Sequence, residues 1–179
     1  LMTAALTPAR NDTQNGLVLL PGSRPEHLEI ALPFMIEIVN QLPNTLKTTI
    51  LLSPFVSDAT IMNLQSTYSA MSIKRMTHAN DLARYKYALT IPGTNTMQLA
   101  VLNIPFLMII PTHNSKILRL NGLTGLLLTI PILGHLLKRI ILTLMAKKQR
   151  LYALPNIKLQ HMGCPELVGR FTAKQAATS

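Results

Sequence analysis

The chain has few of the residues from which disulfide scaffolds, thiolate metal clusters and stacking platforms are built. Its 179 residues include one cysteine, four phenylalanines, four tyrosines and no tryptophan. A single thiol, Cys164, excludes an internal disulfide framework and a structural zinc site made of several thiolates, so a reducing compartment is the simpler expectation. The scarcity of aromatic residues disfavours binding to nucleic acid by base stacking, and no nucleic-acid partner is expected.

Acidic residues are also scarce, and the aspartates are isolated. Seven acidic residues stand against 17 basic ones, which gives a formal net charge of +10. A balance this basic predicts an anionic partner such as a phosphate, a nucleic acid or a membrane surface. Because Asp12, Asp58 and Asp81 lie far apart along the chain, no paired carboxylate site for a divalent cation is predicted. We therefore expect no metal and no other cofactor.

Several motifs of well-characterised enzymes are missing. The sequence contains no G-x-x-x-x-G-K-[ST], no G-x-G-x-x-G and no H-E-x-x-H. A P-loop NTPase, a dinucleotide-binding fingerprint and a zincin metalloprotease therefore have no support. Ser23 lacks the flanking residues of G-x-S-x-G, which leaves a hydrolase elbow unsupported as well.

Short apolar runs alternate with segments of helical character from residue 16 onward. Strands are predicted at residues 16–20, 48–52, 72–76, 87–91 and 106–110. Helices are predicted at residues 25–41, 57–68, 80–84 with Asn80 as the cap, and 94–102. Repeated units of this kind require right-handed crossovers and a parallel sheet covered on both faces. The predicted fold is an open parallel α/β sheet of Rossmann type over residues 16–179, preceded by a linker or fragment edge at residues 1–15.

Two turns place a glycine between a predicted strand and a predicted helix. In Leu20-Pro21-Gly22-Ser23-Arg24, the amides of a helix start, a hydroxyl and a guanidinium converge where an anion could bind. In Pro92-Gly93-Thr94-Asn95-Thr96, Gly93 permits close backbone approach, and Thr94 or Asn95 either caps the next helix or faces a ligand. We expect both turns at one edge of the sheet, where together they grip a pyrophosphate. The alternative is that both are ordinary turns without a ligand.

An insert of apolar and basic residues at about residues 115–150 predicts contact with a membrane. Residues 120–137 carry no charge and approach the roughly 20 residues that span a bilayer, but Pro131 and several glycines interrupt them. The following residues place an apolar face opposite a basic one, as in a helix that lies in the headgroup plane. The predicted membrane-associating residues are Leu133, Leu136, Leu137, Lys138, Arg139, Ile140, Ile141, Leu144, Lys147 and Arg150. A core helix with a solvated basic face and a spanning helix are the alternatives.

Four short motifs, in the same order along the chain, carry a resemblance to a known enzyme family. Leu19-Leu20-Pro21-Gly22-Ser23-Arg24, followed by Glu29-Ile30 and Leu32-Pro33, resembles the start of the C-terminal domain of lipid-A-disaccharide synthases. The family motifs S-G-T-A-T-L-E, L-P-N and P-E-L are similar to Gly93-Thr94-Asn95-Thr96-Met97-Gln98, Leu154-Pro155-Asn156 and Pro165-Glu166-Leu167. The likeness covers about residues 16–176. Pro92 replaces the motif's serine and Gln98 its usual glutamate.

The resemblance implies a metal-independent glycosyltransferase of the GT-B type, built from two facing Rossmann-like domains. This chain would be the half that binds the UDP-sugar. The implied reaction transfers a diacylglucosamine from UDP to a lipid-linked sugar phosphate, at the cytoplasmic face of a membrane, by a peripheral enzyme of lipid A biosynthesis. The implied partners are the UDP-sugar, the lipid-linked acceptor, the membrane surface and an N-terminal domain, with a homodimer left open. Because the chain begins at Leu1 and residues 1–14 have no signal-peptide layout, we expect a fragment that is inactive alone.

The resemblance also implies a role for each matched residue. Arg24 and the amides of Gly22 and Ser23 would hold the diphosphate, and Arg24 would be the catalytic residue that stabilises the departing UDP. The second wall of the nucleotide site would be formed by Gly93, Thr94, Asn95 and Thr96. Gln98 would accept from ribose hydroxyls without charge assistance, and Asn156 would close the site. The alternative function is a non-catalytic module that binds a nucleotide or attaches a partner to membranes.

Overall fold

The computed structural model describes residues 16–43, 46–111 and 151–179. The strands in these ranges are β1 (Leu17–Leu20), β2 (Thr48–Leu52), β3 (Ser72–Arg75), β4 (Tyr87–Thr90), β5 (Phe106–Pro111) and β6 (Glu166–Gly169). The helices are α1 (Pro25–Val39), α2 (Asp58–Thr67), α3 (Thr94–Val101), α4 (Leu154–Leu159) and α5 (Ala173–Ala177), together with a 3-10 helix (Ala79–Arg84).

The predicted linker and the predicted membrane-associating insert lie outside the described residues. The linker covers residues 1–15, and the insert and its ten named side chains fall within residues 112–150. Among the residues that the structure describes, no helix combines the length and the apolar character needed to cross a bilayer.

The strands β1 to β6 form one parallel sheet in the order β3-β2-β1-β4-β5-β6. This confirms the predicted open parallel α/β sheet of Rossmann type. The chain builds outward from β1 to β3 and then returns to the other side of β1 with β4. The strand order therefore reverses between β1 and β4, and the carboxyl ends of strands at such a switch point are where ligands bind in open α/β sheets.

Apolar residues cover both faces of the sheet, which explains why the central strands are continuous apolar runs. Every residue of β1 is buried, and successive side chains point to opposite faces. Leu19 packs in the cluster that includes Leu32 of α1, whereas Leu20 packs in the cluster that includes Leu99 of α3. The helices α1 and α3 thus lie on opposite faces of β1 and β4, and both begin at the carboxyl edge of the sheet.

The last part of the chain contains three elements that the sequence did not predict. These are α4, the edge strand β6 and α5. β6 pairs with β5 and is only partly buried. α5 packs against α1, where Ala176 joins the core cluster and the rings of Phe34 and Phe171 lie 5.6 Å apart between centroids. The C-terminal segment therefore completes the sheet and one of its two helical layers.

One predicted helix cap is wrong, and one open alternative is settled. The 3-10 helix begins after His78 rather than at Asn80, because the carboxylate of Asp81 accepts hydrogen bonds from the backbone of the preceding turn. At the start of α3, the N-cap residue is Gly93, so Thr94 and Asn95 do not cap the helix, and both line the cleft described below.

The Asp81 carboxylate predicts an acid-sensitive turn. The backbone N–H groups of His78 and Thr77, and then the Thr77 hydroxyl, donate to it at 2.8–2.9 Å and lower its pKa from 3.8 to about 2. The folded state stabilises the ionised carboxylate of Asp81 through these hydrogen bonds. Their contribution to stability is therefore present above about pH 4 and is lost as the pH falls towards 2. We expect the difference in unfolding free energy between the wild type and Asp81→Asn to shrink over this interval in urea titrations. A difference that stays constant from pH 6 to pH 2 would contradict the assignment.

Candidate functional site

A cleft of about 600 Å³ opens at the carboxyl edge of the sheet, at the switch point between β1 and β4. Its volume lies in the range of roughly 300–1,000 Å³ that is typical of small-molecule sites. The side that follows β1 and β4 is lined by Leu20, Gly22, Ser23, Arg24, His27, Ile91, Pro92, Gly93, Thr94, Asn95 and Gln98. The side that follows β2 and β3 is lined by Leu51, Ser53, Pro54, Phe55 and Met76.

The two glycine turns face this one cleft, as the sequence predicts. β1 and β4 are neighbours, and Leu20 is in register with Thr90 at their carboxyl ends. The turns that follow the two strands therefore begin side by side. Arg24 of the first turn and Thr94 of the second both line the cleft.

The two glycines of these turns serve different purposes. Gly22 has a φ of +95°, and a Cβ there would lie 2.8 Å from Nδ1 of His27 and 2.9 Å from Cδ1 of Ile91. Glycine is thus required at this position by the backbone and by the packing around it. Gly93 is different, because its backbone is extended and an added Cβ would meet no described atom within 4 Å. The packing of the chain leaves the space beside Gly93 open towards the cleft.

The helices that begin at the cleft have no side-chain caps. Neither Arg24, the N-cap residue of α1, nor Gly93, the N-cap residue of α3, accepts a capping hydrogen bond through its side chain. By contrast, Ser57 caps α2 and Thr172 caps α5 through their hydroxyl oxygens. Uncapped amides and the positive ends of two helix dipoles together favour an anion.

The charge in the cleft has the same sign as the helix ends. The side chain of Arg24 is exposed and forms no ion pair with any described residue. No carboxylate occurs among the described residues that line the cleft. An anion in this position would therefore meet a guanidinium that has no ion-pair partner among the described residues, which is a strong arrangement for binding phosphate.

Gln98 lines the cleft and carries a buried hydrogen-bond acceptor. Its Oε1 atom is buried and accepts no hydrogen bond from the described part of the chain. Burying a polar atom without a partner costs about 1–3 kcal/mol, and each such atom in a native structure requires an explanation. A donor on a ligand would satisfy this oxygen.

Thr96 lies away from the position that the sequence analysis gives it. Its side chain is fully buried and does not line the cleft. The hydroxyl donates to the carbonyl oxygen of Gly93 at 2.8 Å and accepts from the amide of Leu154 at 3.2 Å. Thr96 therefore holds the second glycine turn and joins α3 to α4, rather than forming a wall of the nucleotide site.

Asn156 does not line the cleft either, which corrects its expected place at the closing edge of the site. It is fully buried, and its Oδ1 accepts from the amides of Gly163 and Cys164 at 2.9 and 2.8 Å. Its Nδ2 donates to the carbonyl oxygen of Cys164 at 2.7 Å and to Oε1 of Glu166 at 2.6 Å. Because the amide makes four bonds within the chain, it has no capacity left for a ligand.

Glu166 completes this buried network. Its carboxylate also accepts from the amides of Tyr152 and Ala153 at 2.8–3.1 Å, just before α4. Burial, and secondarily the negative charge of Glu166, raises the pKa of the neighbouring Cys164 thiol. The two late motifs, Leu154-Pro155-Asn156 and Pro165-Glu166-Leu167, thus bind each other and fix the loop between α4 and β6.

Several cleft residues have no counterpart in the sequence predictions. These are His27 in the first turn of α1, Ser53, Pro54 and Phe55 after β2, and Met76 after β3. Position alone is the signal that could have found the last four, because residues that follow parallel strands collect at the carboxyl edge of the sheet. The residue types themselves carry no motif.

The chain was compared with models of protein families and with curated proteins. No family model matches the chain, and no curated protein matches it. The ligand of the cleft is therefore inferred from the chemistry of the residues that line it.

The bonds of Asn156 predict a large structural effect and no direct effect on the cleft. Asn156→Ala would remove the partner of the Gly163 and Cys164 amides and of the Cys164 carbonyl oxygen, and it would remove one of the hydrogen bonds to Oε1 of Glu166. We expect a loss of about 2–4 kcal/mol of unfolding free energy in urea denaturation. Asn63→Ala, on the exposed surface of α2, is the matched control and is expected to change stability by less than about 0.5 kcal/mol. Equal stabilities for the two variants would contradict the structural role of Asn156.

Proposed function

We propose that this chain is the nucleotide-sugar-binding half of a glycosyltransferase of the lipid-A-disaccharide synthase type. In the proposed reaction a diacylglucosamine passes from UDP to a lipid-linked sugar phosphate at the cytoplasmic face of a membrane. The observation that carries the proposal is the meeting of the two glycine turns, each resembling a motif of that family, across one cleft at the switch point of the sheet.

The anionic end of the ligand is assigned to the side of the cleft that follows β1 and β4. The amides of Gly22 and Ser23 and the first turn of α1 would hold one phosphate, and the first turn of α3 would approach the other. The open space beside Gly93 supports this arrangement, since a backbone without a Cβ lets phosphate oxygens come close. Arg24 would span the diphosphate with several donors at once.

The ribose is assigned to Gln98. The buried Oε1 of this residue has no partner in the described part of the chain, and it can accept a hydrogen bond from a ribose hydroxyl. A glutamine in place of the family's usual glutamate accepts without charge assistance, and it places no negative charge beside the diphosphate.

Arg24 is proposed to act on the leaving group. As the bond between the sugar C1 and the β-phosphate oxygen breaks, the electron pair passes to that oxygen and UDP leaves with added negative charge. Preorganised donors aimed at this charge stabilise the transition state more than the ground state. The acceptor hydroxyl attacks C1 and gives its proton to a base, which the proposal assigns to the other domain of the enzyme. This chain then supplies donor binding and leaving-group stabilisation.

Contact with the membrane is part of the same proposal. It is supported by the apolar and basic faces of the sequence over residues 133–150 and by the net charge of +10. A lipid-linked acceptor must be reached from the bilayer, and a basic amphipathic segment of the same chain would hold the enzyme at that surface.

The direct test is a calorimetric titration of the chain with UDP. We expect binding of UDP, weaker binding of pyrophosphate, and little binding of uridine, because the proposed contacts are mainly with the diphosphate. Absence of UDP binding at millimolar concentration would contradict the proposal. Release of UDP from a UDP-sugar by the complete enzyme, dependent on added acceptor lipid, separates a transferase from a module that only binds.

Arg24→Ala is expected to weaken UDP binding by about 10- to 100-fold, because hydrogen bonds to charged groups contribute about 1.5–3 kcal/mol. In the complete enzyme we expect turnover to fall by about 10²-fold or more. Arg170→Ala removes the same charge from an exposed position outside the cleft and is the matched control. If both variants bind UDP as the wild type does, Arg24 has no part in the mechanism.

Gln98→Leu separates binding from stability. The substitution removes a buried acceptor that has no partner in the described part of the chain, so the free protein should be as stable as the wild type or more stable. UDP binding should weaken by about 5- to 10-fold through loss of one hydrogen bond, while pyrophosphate binding stays unchanged. Thermal unfolding and paired titrations measure both effects. Equal weakening for UDP and pyrophosphate would remove Gln98 from the ribose.

A further inference from the structure

Phe55 is an exposed aromatic side chain at the edge of the cleft. It is 88% exposed, the highest value among the large apolar side chains that the structure describes. A single exposed apolar residue is common on protein surfaces and needs no explanation by itself. Phe55 differs from the others, such as Met62 on α2 and Leu159 on α4, because it lines the cleft and they do not.

The turn that carries Phe55 is held firmly on both sides. The next residue, Val56, is buried in the core, and its amide donates to the carbonyl oxygen of Ser53 at 3.1 Å. Nη2 of Arg75 donates to the carbonyl oxygen of Val56 at 2.7 Å and to Oδ1 of Asp58 at 2.6 Å. The ring is therefore exposed on an anchored turn, and its exposure does not arise from a loose loop.

The cleft has two chemically different sides. Arg24, the uncapped helix ends and Gln98 lie on the side that follows β1 and β4. Pro54, Phe55 and Met76 form an apolar side after β2 and β3. A ligand that fits both sides carries a strongly anionic part and a flat or apolar part, joined by a polar linker. A nucleoside diphosphate has this composition.

We propose that Phe55 stacks on the base of the nucleotide and so determines that the base lies on the β2 side of the cleft. This inference rests on the proposed function, because it requires a nucleotide whose diphosphate lies between the two glycine turns. Met76 and Pro54 provide apolar contacts at the edges of the base. Since every base has a π-face, the stacking raises affinity for nucleotides over pyrophosphate without selecting among bases.

The first test compares UDP with pyrophosphate in calorimetric titrations. Phe55→Ala is expected to weaken UDP binding by about 5- to 150-fold, the range that corresponds to stacking of one base on one ring. Pyrophosphate binding should stay unchanged, and Phe55→Tyr should restore UDP binding. Met62→Ala, which removes an exposed apolar side chain from α2 outside the cleft, is the control and should bind both ligands as the wild type does.

A second test uses the absence of tryptophan from the chain. Phe55→Trp introduces the one tryptophan of the chain at the proposed stacking position. UDP should quench or shift the tryptophan emission, with the same dissociation constant as in the calorimetric titration. Pyrophosphate should leave the emission unchanged. Val101→Trp, at an exposed position at the other end of α3, should not respond to UDP.

The outcomes distinguish this inference from the proposed function. If the wild type binds UDP and Phe55→Ala binds it equally well, the stacking role is wrong and the nucleotide site stands. If Phe55→Ala weakens UDP and pyrophosphate by the same factor, Phe55 shapes the cleft and does not contact the base, which also overturns the inference. If the wild type binds neither ligand, the proposed function fails, and the inference fails with it.

Discussion

The parallel pairing of β1 with β4 is the constraint on which the cleft depends. The chain leaves β1, builds two more strands on one side, and then crosses back so that Thr90 comes into register with Leu20. Two turns that are separated by about 70 residues of sequence thereby start from adjacent strand ends. The same crossing sends α1 and α3 to opposite faces of the sheet with both N-termini at the cleft. A shift of this register would separate the amides, the guanidinium and the open space beside Gly93.

Polar groups at the cleft have fewer hydrogen-bond partners than several polar groups elsewhere in the described fold. Away from the cleft, the first turns of α2 and α5 receive hydroxyl caps, and the amide of Asn156 makes four hydrogen bonds. At the cleft, two helix ends lack side-chain caps and Oε1 of Gln98 lacks a partner among the described residues. Such groups cost stability in the free protein, and natural sequences retain them mainly at functional positions. The helix α4, which lies outside the cleft, also has no side-chain N-cap, so the contrast rests mainly on the oxygen of Gln98.

The sequence predicts the centre of the fold well because the central strands are buried on both faces and read as unbroken apolar runs. The ends of β2, α2 and α3 fall within one or two residues of their expected positions. β6 escapes prediction because it is a four-residue edge strand that is only partly buried, so it shows no periodicity. The bond between Asn156 and Glu166 has no local signal, and a motif match cannot tell a ligand contact from a loop bond. The exposed position of Phe55 depends on a turn that Arg75 anchors through the carbonyl oxygen of Val56. Because Arg75 is distant from this turn in sequence, no local pattern predicts the contact.

The strand β6 gives the fold a place where extra sequence can be accommodated. The described chain leaves the sheet at Pro111, which pairs with Gly169 at the end of β6. It resumes just before Tyr152, whose amide donates to the carboxylate of Glu166 at the start of β6. Both ends of the intervening stretch are thus tied to one short edge strand, whatever its length. Doubling a connection of this kind costs only about 0.6 kcal/mol of closure entropy. The length of this stretch could therefore change during evolution while the cleft, which is formed by the ends of β1 to β4, keeps its shape.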